Sequence, residues 1–145
     1  MAQHKITKLY ITTITSTVQD AQSGARPNVY IQYANQPGVD QTPATHTFTN
    51  AIGPFTNGGI QSVALDLTSL KDDVYTIQEV VFTTDSNDWW LEKSVFIHAL
   101  YDNGYVATIT DITNWPGLGL SNQNSDGGVY SQPVFPYAAG EVPQN

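Results

Sequence analysis

The chain contains no cysteine, so disulfides, zinc thiolate sites and thiol nucleophiles are excluded. Helical periodicity is also missing, since no window of a dozen residues keeps apolar side chains at i, i+3, i+4 and i+7. No run of about 18 apolar residues occurs, so no transmembrane helix is expected. The amino end, MAQHKITKLYITTITSTVQD, alternates polar and apolar residues where a leader would need an unbroken apolar stretch. No Sec-type leader is therefore expected. The default compartment is cytoplasmic, although a secreted chain already trimmed of its leader would read the same.

Charge is scarce and one-sided: charged residues make up 12% of the chain, with thirteen acids against five bases for a formal charge of −8. Such a surface repels phosphate backbones, which excludes nucleic acid as a partner. An anionic membrane would have to be reached through a bound cation or through aromatic insertion. Catalytic signatures are lacking as well. His4, His46 and His98 show neither metal-ligand nor triad spacing, and no G-x-S-x-G, phosphate loop or H-E-x-x-H occurs. Gly117-Leu-Gly119 has no third glycine and no following helix, so it reads as a loop. No residue is assigned to catalysis, and the protein is not expected to be an enzyme.

What is present is period-two alternation along most of the chain. It predicts strands over 6–18, 28–33, 45–49, 60–67, 74–83, 91–101 and 105–112. Asn103-Gly104 predicts a tight hairpin turn with positive φ at both positions. The stretch PGLGLSNQNSDGG reads as a loop, and VYSQPVFPY as an edge strand or extended tail because of its two prolines. At 145 residues one domain suffices, burying roughly two-thirds of its unfolded surface. The fold class is all-β, an antiparallel β-sandwich of two roughly four-stranded sheets. The sandwich is assigned to residues 1–115, and 116–145 to a loop and C-terminal extension or an added edge strand. The polar gaps 19–27 and 35–44 are candidate binding loops.

Several stretches resemble one family in order, the PLAT (lipoxygenase-homology) domain. SGARPNVYIQYANQPG is similar to its early turn followed by an Asn-Val-Tyr-Ile strand, and FTNGGIQSVALDL to its Phe-x-x-Gly segment. QEVVFTTDSNDWWLEKSVFIHALYDNGYVATITDITNW resembles its second half, where an Asp-bearing loop and a Trp precede a strand. The resemblance covers about 6–115. It implies a non-catalytic module that brings a protein to a lipid surface or a protein partner, in some members with calcium in end loops. Where the family carries loop acids this chain has Arg26 and Gln61, which leaves Asp85 and Asp88 as the metal candidates. Two carboxylates fall well short of the six to eight oxygens calcium takes. No cofactor is required on this reading, and Arg26 is a candidate ion-pair partner for one of the aspartates.

The candidate ligand-binding residues are Trp89, Trp90 and Trp115. Alternation sends Trp89 and Trp90 to opposite faces. The family resemblance makes Trp89 the framework residue and leaves Trp90 as the exposed anchor for a head-group region or a sugar ring. Trp115 is expected to plug the end of the core. The rival reading is a carbohydrate-binding lectin, since abundant Asn, Asp and Gln with exposed aromatics suit sugars equally well. A secreted toxin-like or interaction protein is a third.

Overall fold

Ten strands form in the computed structural model, which describes residues 4–37, 43–123 and 128–136. In chain order they are β1 (Ile6–Thr15), β2 (Asn28–Ala34), β3 (Ala44–Phe48), β4 (Ile60–Asp66) and β5 (Thr76–Thr83). There follow β6 (Glu92–Tyr101), β7 (Val106–Ile112), β8 (Gly119–Leu120), β9 (Gly128–Val129) and β10 (Ser131–Phe135). One four-stranded sheet has the order β4-β1-β6-β7 and the other β10-β5-β2-β3, both antiparallel throughout. The fold is therefore an all-β sandwich. β10 forms an edge of the second sheet, and residues 137–145 lie outside the described residues, as do 38–42 of the candidate loop 35–44.

Alternation puts one row of each strand between the sheets. Leu9 and Ile11 of β1 and Val95, Ile97 and Ala99 of β6 face Val29 and Ile31 of β2, Val80 and Phe82 of β5, and Val134 of β10 within one buried cluster. Burying each large apolar side chain stabilises the fold by about 1.5–3 kcal/mol. Where the two sheets meet at an edge, Thr110 Oγ1 of β7 donates to the Val134 carbonyl of β10 at 2.8 Å. This bond satisfies a buried hydroxyl and ties the sheets together.

An irregularity in the β1–β6 ladder decides the chemistry of one end. Ile14 pairs with Ser94, but the next residue, Thr15, pairs with Glu92, so Lys93 is the extra residue of a bulge. A one-residue slip moves every preceding side chain to the other face. Unbroken alternation from Val95 would have turned Leu91 and Trp89 inward. The bulge turns Glu92 and Trp90 inward instead.

The hairpin between β6 and β7 also departs from expectation. Of the two turn residues only Gly104 has positive φ, at 88°. Gly104 N donates to the Tyr101 carbonyl at 3.0 Å and Tyr101 N to the Tyr105 carbonyl at 2.8 Å. Asp102, Asn103 and Gly104 thus form a three-residue loop with a terminal glycine bulge, not a two-residue turn. Asn103 has another task, accepting from Tyr105 N through its side chain at 3.1 Å.

Candidate functional site

The ends of β1, β5 and β7 and the starts of β2, β4 and β6 lie at one end of the sandwich, as the pairs Thr15–Glu92, Ile14–Ile60, Asn28–Thr83 and Val95–Ile112 require. Segments 16–27, 49–59, 84–91 and 113–123 gather there. Backbone bonds join them: Ser23 and Phe55 exchange both N–H groups, Leu91 N donates to Ala21, and Trp90 and Leu120 exchange a pair. Two side chains add to this frame. Ser23 Oγ donates to the Asp88 carbonyl at 2.9 Å, and Asp88 Oδ2 accepts from Gly24 N at 2.8 Å.

The three tryptophans occupy three environments. Trp90 is 0% exposed. Its ring stacks on Phe55 with centroids 3.8 Å apart and planes 6° from parallel, and its Nε1 donates to Thr15 Oγ1 at 2.9 Å. It closes the sandwich from inside, so the exposed anchor expected at Trp90 is wrong. Trp89, expected in the framework, is the half-exposed ring of the pair. The opposite orientation of the two rings was readable from alternation, but the Lys93 bulge that chooses between them was not. Trp115 is half-buried against the core, and its Nε1 donates to the Leu118 carbonyl at 3.0 Å.

Trp89 is held by a glycine. A Cβ on Gly119 would overlap Nε1 and Cε2 of the Trp89 indole, so only a glycine lets loop 113–121 lie flush on that edge. The indole Nε1 is buried there with no hydrogen-bond partner. The rest of the residue helps line an open cleft of about 640 Å³ with Gln19, Asp20, Gln22 and Asp88, over a floor of Ser23 and Gly24. Asp85 and Asp88 sit on the same exposed loop, but only Asp88 lines the cleft. No ion pair joins Arg26 to either of them. Among the described residues, no three His, Cys, Asp or Glu side chains gather to hold a metal ion.

Sequence reasoning missed Glu92 entirely. It is 2% exposed. Its Oε1 accepts from Gln132 Nε2 at 3.3 Å while Oε2 has no hydrogen-bond partner. Burial disfavours the charged carboxylate and pushes its pKa up to about 8. Gln132 Nε2 also donates to the Leu118 carbonyl at 2.8 Å, so one amide ties β6, β10 and the Trp115 loop together. A second, smaller cleft of about 180 Å³ lies over this network, lined by Ser16, Glu92, Lys93, Asn114 and Trp115.

Among the described residues, three of the five large exposed apolar side chains lie at this same end: Val18 (54%), Ile60 (72%) and Tyr130 (66%). Val18 and the start of β4 are neighbours, since Asn57 Nδ2 donates to the Val18 carbonyl at 3.0 Å. Tyr130 is placed by Thr84 N, which donates to its carbonyl at 3.0 Å.

Neither a protein-family model nor a curated protein sequence matches the chain. Among solved structures it is similar to the alpha-toxin of Clostridium perfringens from avian strain SWCP, with a TM-score of 0.57 and 16% identity. That match covers 92% of this chain and 32% of the toxin chain. The alpha toxin of Clostridium absonum also matches, with a TM-score of 0.47 and 17% identity over 74% of this chain and 32% of that one. The chain thus spans about a third of the length of these toxins. At such identities the first likeness establishes the fold alone, an antiparallel sandwich of two four-stranded sheets.

Proposed function

We propose that the protein is a non-catalytic module that docks on a lipid surface through the loop end of its sandwich. The observation that carries this reading is that Val18, Ile60 and Tyr130 stand exposed at the end where Trp89 lines an open cleft. Exposed apolar side chains at one end of a rigid frame, two on connecting segments and one on the first residue of β4, suit insertion at a membrane interface. Trp89 takes the role first assigned to Trp90, because it is the half-buried indole of the pair and lines the cleft, and an indole at such a position suits the head-group region. No calcium is required on this reading.

Flotation with phosphatidylcholine vesicles, with and without calcium, tests it. Binding is expected in both conditions, and Ile60→Asp with Val18→Asp should abolish it while the far-UV spectrum stays unchanged. Absence of binding to neutral and anionic vesicles in either condition would sink the proposal.

A lectin is the second reading, favoured by the amide and carboxylate side chains of Gln19, Asp20, Gln22 and Asp88 beside an aromatic ring. A sharp glycan-array signal lost in Trp89→Ala, together with no vesicle binding, would select it.

A further inference from the structure

Among the described residues, the 640 Å³ cleft joins one aromatic ring to two acidic side chains, and no basic residue lines it. Asp20 and Asp88 are both exposed, and Asp20 adopts the left-handed conformation with φ of 66°. Asp88 is oriented by Gly24 N on its Oδ2, and Trp89 is fixed along its Nε1 edge by Gly119. Arg26, which follows the cleft segment 19–24 in sequence, pairs with neither aspartate.

An indole beside carboxylates suits an organic cation. The ring quadrupole attracts positive charge, and a quaternary ammonium has no N–H groups that need acceptors when it leaves water. A phosphate would meet two like charges. Calcium would need six to eight oxygens, which this pairing does not gather. Val18, next in sequence to Gln19 of the cleft lining, stands exposed beside it.

Building on the lipid-docking reading of this end, we propose that the cleft binds the quaternary ammonium of a choline head group, with the Trp89 ring and the Asp20 and Asp88 carboxylates around the cation. A choline phospholipid has no net charge, so the −8 chain meets no long-range repulsion at such a surface.

The test uses the full chain in EDTA, titrated with choline chloride and followed by proton–nitrogen NMR. Choline is expected to shift the Trp89 indole and Gly24 amide signals saturably, whereas 3,3-dimethylbutanol, the same shape without charge, leaves them unmoved. Trp89→Ala should weaken choline binding about tenfold or more. The double variant Asp20→Asn, Asp88→Asn, which keeps an acceptor for Gly24 and a side chain at home in the left-handed region, should also weaken it.

A second arm compares flotation on phosphatidylcholine vesicles with flotation on vesicles of an uncharged galactosyl diacylglycerol, and a clear preference for the former is expected. Equal response to choline and dimethylbutanol, or none to either, overturns the site. Choline binding without preference for choline vesicles assigns the cleft to a free ligand and overturns the head-group assignment. Equal flotation on both vesicles without choline shifts removes the ammonium site and leaves membrane docking standing, whereas flotation on neither sinks docking itself.

Discussion

Glu92 occupies the interior of the sandwich, its Oε1 accepting from Gln132 Nε2 and its Oε2 left without a hydrogen-bond partner. Burial raises its pKa from 4.5 to about 8, against the smaller downward pull of its own N–H and of Gln132. Between those values the folded chain holds a proton that the unfolded chain has released. The acid's contribution to stability is therefore complete below about pH 4.5 and is lost as pH rises through about 8. Unfolding free energy should fall across this window by up to about 1.4 kcal/mol per pH unit. Glu92→Gln, of the same shape and never charged, should flatten that slope. Urea melts of both proteins at several pH values across the window check this, and parallel slopes would refute it. Nothing in the local sequence WWLEKSVF marks Glu92 as buried, because its direction depends on the bulge at Lys93. The same bulge reversed Trp89 and Trp90, so two misplaced side chains share one physical cause.

At the scale of elements, strands were the readable part, since alternation is local and each buried row repeats every second residue. Seven predicted strands correspond to β1–β7 with ends displaced by at most a few residues, as for β1, which stops at Thr15 and not at 18. Turn geometry was less readable. Asn103-Gly104 announces a hairpin, but loop length depends on how Tyr101 and Tyr105 register across the strands. Gly104 alone carries the positive φ. Gly104→Ala should consequently cost about 1 kcal/mol, and Asn103→Ala should lose only the side-chain bond to Tyr105 N. Thermal melts of the two variants rank them, and a Gly104→Ala protein as stable as the parent would contradict the turn described.

At the scale of the whole molecule, net charge bears on the proposed docking. A chain of net charge −8 is repelled by anionic lipid over roughly one Debye length, about 10 Å at 0.1 M salt. Vesicles rich in phosphatidylserine should therefore bind less protein than phosphatidylcholine vesicles at low salt, and the gap should narrow as salt is raised. Flotation across a salt series measures it, and a gap that widens with salt would exclude this electrostatic account. The class of the fold, the absence of disulfides and the acidic surface were determined by the sequence alone, because composition and period-two alternation need no partner to be read. Which tryptophan lies at the surface, where Glu92 points, and that segments 19–24 and 88–89 frame one cleft were decided only by tertiary structure. A one-residue bulge, a glycine fitted to an indole edge and hydrogen bonds between distant loops depend on neighbours that local sequence does not specify.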